Sequence, residues 1–308
     1  MRQPSAPDRL KEIVLSDVPL APLTTLGAGG TARTLVSPRN RDELALAARW
    51  LKSEALSYHI IGGGSNSLVA DGEIEAPVIW TRKLDAVSIS REGSDILLTC
   101  GAGVLLKNIF ALSLQEGWSG LEQVAGIPGT VGGALIGNAG TKEGDISSAV
   151  EMVGSVTAVG GHATIGGREI RWSYRKSSLA EDGDAIISYA VLRLRQSTKE
   201  AVTAAARYTL GQRSAQPFGA RTAGCVFKNP QSAKAGRMLE EAGCKGLSVG
   251  GAKVSDVHAN FIENHDDCSA ADIAKLAKLC QGKVYEKFGV MLRFEIKSLG
   301  FGRGFMEG

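Results

Sequence analysis

Gly126-Ile127-Pro128-Gly129-Thr130-Val131-Gly132-Gly133-Ala134-Leu135-Ile136-Gly137-Asn138-Ala139-Gly140 places its glycines among small apolar residues, with Gly120 just upstream. Glycine carries no Cβ, so such a backbone passes close to something flat or charged without side chains intervening. Flexible linkers of similar glycine content carry Ser, Glu and Lys. Here Ile127, Val131, Leu135 and Ile136 demand burial and Pro128 fixes its own φ, so the segment reads as ordered and internal. The plain alternative is a buried glycine-rich turn with no ligand.

A second stretch weighs against that alternative. Ser57-Tyr58-His59-Ile60-Ile61 has the pattern of a short buried strand and runs into Gly62-Gly63-Gly64-Ser65-Asn66-Ser67, where successive N–H groups and two hydroxyls can converge on phosphate. Two such loops point to a large phosphorylated ligand. There is no Gly-Lys-Ser/Thr of a P-loop and no helix evidently starts after Asn66, so the phosphate reading rests on turn chemistry. A third run, with Gly27, Gly29 and Ala32, matches the spacing of a dinucleotide fingerprint superficially. We reject it: no strand precedes it, and Thr31 to Ser37 reads as a strand where the fingerprint needs a helix start.

The remaining composition narrows the function classes. A chain of 308 residues with 44% hydrophobic and 22% charged content is that of a globular protein with a sizeable core. The N-terminus, with Pro4, Pro7, Asp8, Arg9 and Lys11, lacks the apolar middle of a signal peptide, and no run of 18 apolar residues exists, so no membrane and a cytoplasmic location are expected. Five cysteines at irregular spacings, and four histidines without ligand spacing, argue against a disulfide framework and against a metal site. A net charge of +3 with dispersed Lys and Arg does not suggest nucleic acid.

Taken in order, residues 8–15 suggest a short helix, and Asn40 with Glu43 opens the first convincing one. A strand is expected at Pro77–Thr81, a hairpin at Ala86–Ser90 and Asp95–Cys100, and then a helix opened by Gly101-Ala102-Gly103 and closed by Gly117. Further strands are expected at Ser155–Val159 and Ala185–Leu194. Near Gln196 the texture changes, and helices follow at Thr198–Gln212, Gly236–Ala242 and Ser269–Phe288, the last with a capping-box-like start at Ser269 and Asp272 and a stop at Gly289. A β-like run from Leu247 to Asn264 and a last strand, Val290–Ile296, complete the chain before a basic glycine tail.

Four polar groups stand out from apolar or turn-like surroundings. Tyr174-Arg175-Lys176-Ser177 is a candidate site or a solvated edge. Cys225 is a candidate reactive thiol or an inert small hydrophobe. Lys228 and Asn229 before Pro230 are candidate ligand contacts or a turn. Glu295 is a candidate acid or lies on the solvated face of its strand.

The blocks Thr24–Gly30, Gly62–Asn66, Gly120-Leu121-Glu122, Ala125–Ala134, Asn138–Gly140, Tyr174–Ser177, Gly224–Pro230, His258–Phe261 and Phe288–Glu295, in this order, resemble the UDP-N-acetylenolpyruvoylglucosamine reductase (MurB) family and span almost the whole chain. The resemblance implies an FAD enzyme of peptidoglycan precursor synthesis, α+β in class. A two-lobed FAD-binding fold of the vanillyl-alcohol-oxidase-like (PCMH) type would occupy residues 1–82 and 83–196, and a C-terminal α+β substrate domain residues 197–308. NADPH would reduce a non-covalent FAD, which would pass hydride to the enolpyruvyl ether of UDP-N-acetylglucosamine to give UDP-N-acetylmuramate. A monomer is expected.

By the same resemblance Gly62, Gly63, Gly64, Ser65, Asn66 and Ser67 cradle the pyrophosphate, while Gly126, Ile127, Pro128, Gly129, Thr130, Gly132, Gly133, Asn138 and Ala139 line the flavin. Arg175 and Glu295 would stabilise negative charge developing on the substrate carboxylate, and Tyr174, Lys228 and Asn229 would bind substrate. The proton donor of the family is usually a serine, and Cys225 stands in its place here. A thiol with a reference pKa of about 8.5 is a far stronger acid than an alcohol, so the swap is expected to preserve function. The insertion that caps substrate in one branch has no evident place between Lys176 and Ile186, which resembles the shorter, second type. Two rivals remain: an oxidase of the same FAD fold, against which residues 62–67 offer no histidine for tethering flavin, and a nucleotide-sugar-binding protein without catalysis.

Overall fold

The computed structural model describes residues 7–181, 185–231 and 233–302. Asp182–Asp184, in the loop read as lacking the capping insertion, and the basic tail beyond Gly302 lie outside the described residues. The chain forms two compact units: the described residues of Met1–Leu15, Leu35–Gly63 and Pro77–Ser214 make the first, and those of Ser16–Thr34, Gly64–Ala76 and Ala215–Gly308 the second.

In the first unit, helix α1 (Arg41–Ser53) starts where expected, because Asn40 Oδ1 accepts from the N–H groups of Asp42 and Glu43 at 3.1 and 2.9 Å. Its face of Leu44, Ala45, Ala47, Ala48, Trp50 and Leu51 is buried. Three parallel segments run beside one another, with Leu35 opposite Val78, and His59 opposite Val78 on the other edge. A six-stranded antiparallel sheet is ordered His162–Gly166, Val150–Val156, Ile186–Gln196, Asp95–Gly101, Val87–Glu92, with Trp118–Ser119 also on Ile186–Gln196. Helices α2 (Leu106–Glu116), α3 (Val131–Ile136) and α4 (Lys199–Gly211) complete this unit, and α4 packs against α2. One continuous core joins Leu51, Ile79, Leu98, Val131, Leu135 and Leu192.

The second unit has a four-stranded antiparallel sheet, ordered Thr222–Cys225, Phe261–Asn264, Ala252–Val254, Ser248–Val249. It packs with helices α5 (Ala235–Glu241) and α6 (Ala270–Phe288) around Phe227, Leu239, Ile262, Ile273 and Leu276. Residues distant in sequence complete it: Lys297–Leu299 pairs in parallel with Ser67–Val69, and Thr31–Ala32 with Glu73–Ile74. The expected capping box at α6 is present, with Ser269 and Asp272 exchanging bonds, and Gly289 closes the helix at φ 66°. A second carboxylate strengthens this start. Asp71 Oδ1 and Oδ2 accept from the N–H groups of Ala270 and Ala271, each at 2.9 Å. Asp71→Ala is therefore expected to cost about 1–2 kcal/mol of stability, read as a lowered urea midpoint with unchanged m. An unchanged midpoint contradicts this role.

Four expected elements differ. Residues 8–15 form a single 3-10 turn, Asp8–Leu10, before a strand begins at Val14, because Leu10 and Ile13 are drawn into the core and β-branched residues follow. Ser57–Ile61 is not a buried strand: His59–Ile61 pairs on one side only, and Ile60 is 47% exposed. The strand expected at Ser155–Val159 ends at Val156, since Thr157 to Gly161 makes the hairpin turn and leaves Val159 68% exposed. Val290–Ile296 is not a strand. It makes one isolated bridge, Phe227 with Phe294, and regular pairing starts only at Lys297.

Candidate functional site

In the first unit Gly62 and Gly63, which open the shorter glycine stretch, meet the 126–140 stretch. A Cβ on Gly62 would lie 2.5 Å from Thr130 Oγ1, and one on Gly63 would lie 3.1 Å from Gly129 Cα, so the Thr130 side chain crowds position 62 and neighbouring backbone crowds position 63. The 126–140 stretch is not wholly internal as its apolar residues suggested. Val131, Ala134 and Leu135 are buried, but Gly126, Pro128 and Gly133 face outward. The reason is helical: residues 131–136 form α3, capped by Thr130, whose Oγ1 accepts from Gly133 N–H at 3.3 Å. Helical spacing then separates an apolar inner face from an outer face of bare backbone at Gly133 and Gly137. Space is open over that outer face, because a Cβ on Gly133 or Gly137 would approach nothing nearer than 3.5 Å.

Asn138 ends α3 with φ 42° and is 2% exposed. Its Nδ2 donates to Asp145 Oδ2 at 2.9 Å and to Ser173 O at 3.1 Å, which fixes the amide's orientation. Asn138 Oδ1 is buried and accepts from no donor among the described residues. A buried acceptor left in this state is costly unless a ligand or an ordered water supplies the donor.

Three bonds tie the Tyr174–Ser177 candidates to the same stretch. Asn138 reaches Ser173, Ser177 Oγ donates to Ile136 O at 3.2 Å, and Arg175 Nη1 donates to Gly140 O at 2.9 Å. Trp172–Ser173 and Lys176–Ser177 pair as a small hairpin, and Arg175 at its tip takes φ 55°. The guanidinium carbon stands 5.3 Å from the centre of the Tyr174 ring, which is 56% exposed. The hairpin is thus anchored, and Arg175 is held in an uncommon backbone conformation of the kind that clusters at functional positions.

In the second unit the remaining candidates gather around one antiparallel crossing. Gly64 has φ 63°, and a Cβ there would sit 2.1 Å from Leu23 O. Asn66 Nδ2 donates to Glu295 O at 3.2 Å, and Lys297 N–H donates to Asn66 O at 2.9 Å, so the end of the glycine loop is bonded to the segment bearing Glu295. That segment is also joined to residues 226–228: Glu295 N–H donates to Val226 O and Lys228 N–H to Arg293 O, both at 2.8 Å, with the Phe227 and Phe294 rings 5.0 Å apart. Cys225, the last residue of Thr222–Cys225, therefore lies next to the residue that pairs with Glu295.

Cys225 is the half-buried cysteine of the five, the other four being buried. Burial pushes the Cys100 thiol up to about 12 and the Cys268 thiol up to about 11, which keeps both protonated and unreactive. Glu295 and Lys228 are half-buried and Asn229 is exposed, with Asn229 Oδ1 accepting from Ala235 N–H at 2.9 Å at the start of α5. Sequence reading did not find α3, although Thr130 before a run of small residues is a usable N-cap signal. It also gave no role to Asn260, described below.

Residues 216–299 match a family model described as UDP-N-acetylenolpyruvoylglucosamine reductase, C-terminal domain, and residues 32–166 match one described as FAD binding domain. A UDP-N-acetylenolpyruvoylglucosamine reductase of Moorella thermoacetica is 40% identical over 294 residues, covering 95% of this chain and 95% of its own. That of Caldicellulosiruptor bescii is 37% identical over 289 residues, covering 93% and 90%. The crystal structure of UDP-N-acetylenolpyruvylglucosamine reductase (MurB) from Thermus caldophilus superposes with a TM-score of 0.78 at 33% identity, covering 92% of this chain and 98% of that one.

Proposed function

The chain belongs to the UDP-N-acetylenolpyruvoylglucosamine reductase family, and on that premise we propose that Arg175, Cys225 and Glu295 carry the reaction of that family on one bound substrate. The enzyme reduces UDP-N-acetylglucosamine enolpyruvate to UDP-N-acetylmuramate with FAD and NADPH, in peptidoglycan precursor synthesis.

The residues of the two glycine stretches fit a flavin nucleotide. The outer face of α3 offers bare backbone at Gly133 and Gly137, and the buried Asn138 Oδ1 is an acceptor suited to an N–H or O–H brought by a ligand. Gly62 and Gly63, seated on Thr130 and Gly129, with Gly64, Ser65, Asn66 and Ser67 following, would hold the pyrophosphate. Gly126, Ile127, Pro128, Gly129, Thr130, Gly132, Gly133, Asn138 and Ala139 would line the isoalloxazine. Bound FAD would supply the hydride-carrying chemistry between NADPH and the substrate.

The chain's own residues manage the charge and the proton that follow. Hydride addition drives negative charge onto the substrate carboxylate, and a guanidinium fixed by its bond to Gly140 O meets that charge without reorganising. Glu295, bonded through its main chain to Val226 and Asn66, is the carboxyl partner in this charge stabilisation. The adjacent carbon then takes a proton from the Cys225 thiol. Tyr174, Lys228 and Asn229 contact the substrate. Residues 1–82 and 83–196 act as two FAD lobes and 197–308 as the substrate domain, in a cytoplasmic monomer. Among the described residues no helix is long and apolar enough to cross a membrane.

The observation that carries this reading is the anchoring of Arg175 to the glycine stretch whose Asn138 keeps a buried acceptor unmet among the described residues. The purified protein is expected to be yellow, to release its flavin on acid precipitation, to bleach anaerobically on NADPH addition, and to regain its colour when UDP-N-acetylglucosamine enolpyruvate is added. Regained colour with oxygen but not with that substrate would point to an oxidase instead, and a colourless protein to a binding module.

A further inference from the structure

The strand Phe261–Asn264 lies against Thr222–Cys225, and its last registered pair is Cys225 with Phe261. Beyond that pair the two chains part. Phe261 N–H donates to His258 O and Ser255 N–H to Phe261 O, which turns residues 255–260 away. Val226 N–H still reaches Asn260 O at 2.8 Å, but Phe227 has no strand residue opposite it on that edge. Its main chain is met instead by a side chain. Asn260 Oδ1 accepts from Phe227 N–H at 2.9 Å, and Asn260 Nδ2 donates to Phe227 O at 2.8 Å. A carboxamide is chemically a peptide group, so this pair of bonds reproduces one rung of an antiparallel ladder. Both partners are buried, Asn260 at 3% and Phe227 at 2% exposure.

The consequence lies on the opposite edge. Phe227 N–H and O face Asn260, as does Val226 N–H, while Val226 O and Lys228 N–H face away and bond Glu295 N–H and Arg293 O. Residues 226–228 are thus the middle of three segments. One outer segment is replaced by a single amide and the other bears Glu295, with Cys225 at the entrance. Asn260 is itself held: its N–H donates to His258 Nδ1 at 3.1 Å, which places that ring's proton on Nε2. The ring stands edge-on to Phe261 at 5.0 Å and rests on Gly236, where a Cβ would approach within 2.6 Å. We infer that Asn260 is a positioning residue for substrate reduction, its side-chain amide holding the Phe227 main chain so that Cys225 and Glu295 keep one fixed separation. This rests on the reading of Cys225 and Glu295 given above.

The test uses FAD-loaded full-length enzyme carrying Asn260→Ala or Asn260→Asp. The second keeps the acceptor for Phe227 N–H and loses the donor for Phe227 O. In anaerobic rapid mixing, flavin reduction by NADPH is expected within about twofold of wild type, since none of these bonds touches the first unit's glycine stretches. Reoxidation by UDP-N-acetylglucosamine enolpyruvate is expected to slow about ten- to a hundredfold in Asn260→Ala, and less in Asn260→Asp, because misplacement of about 1 Å costs that much. Hydrogen exchange of the peptide containing Phe227 should quicken in both variants, a readout independent of turnover. Wild-type reoxidation in both variants, an equal fall of the two half-reactions, or unchanged exchange at Phe227 overturns the inference. Failure of the wild-type enzyme itself to reoxidise with this substrate overturns the functional reading beneath it.

Discussion

Cys225→Ala enzyme should still be bleached by NADPH at close to the wild-type rate, yet regain its colour at least ~10²-fold more slowly when the enolpyruvyl substrate is added, the usual scale of a lost proton donor. The two half-reactions make different demands. Reduction of the flavin calls for no proton from the protein at the substrate, whereas completion of the reaction leaves a carbon that must be protonated. Cys225 is half-buried, stands at the end of a strand, and adjoins the residue whose carbonyl is bonded to the Glu295 segment. Cys225→Ser tests the same point from the other direction. An alcohol is a much weaker acid than a thiol but restores a transferable proton in the same place, so this variant should be faster than Cys225→Ala. Normal reoxidation in Cys225→Ala removes the thiol from the mechanism.

Arg175→Gln should lose about 10²–10³ in the oxidative half-reaction, comparable with removing a preorganised donor aimed at developing charge. Arg175 is held at φ 55° at a hairpin tip, beneath its neighbour Tyr174, with Nη1 on Gly140 O. A glutamine at this position is neutral and shorter, so both the anchoring bond and the charge are lost. Because Gly140 O closes the stretch proposed to line the cofactor, flavin affinity should weaken as well, read by fluorescence on dilution of the loaded protein. An effect on the Michaelis constant for NADPH alone, with reoxidation unchanged, would place Arg175 elsewhere in the reaction.

What could be read from the chain and what could not divides along the range of the forces involved. Helix ends are set by neighbours in sequence, and so Asn40, Ser269 with Asp272, and Gly289 announced α1 and α6 before any coordinates. The glycine stretches were legible because close approach leaves a compositional trace, seen at Gly62 against the Thr130 side chain and at Gly64 against the Leu23 backbone. Long-range pairing leaves none. Nothing near Ser67 or Lys297 announces that they lie side by side, or that Asp71 caps a helix some two hundred residues later. The final strand was misplaced for the same reason: Phe294, Glu295 and Ile296 alternate correctly, but regular pairing begins only at Lys297, where the partner Ser67–Val69 begins. Helix α3 was missed because its glycines are poor helix formers, and tertiary packing of Val131 and Leu135 outweighs that propensity. Asn260 gave no signal because a buried amide that imitates a strand is indistinguishable in sequence from one in a turn.

The central claim is that groups from separate parts of the chain act on a single bound substrate, and a double-mutant cycle on Arg175→Lys and Glu295→Gln tests it most directly. Residues that work on one transition state give strongly non-additive losses, whereas independent sites multiply. Measured as the rate of flavin reoxidation by UDP-N-acetylglucosamine enolpyruvate, the double variant should be about as slow as the slower single variant. A double variant whose loss equals the product of the two single losses would contradict the account.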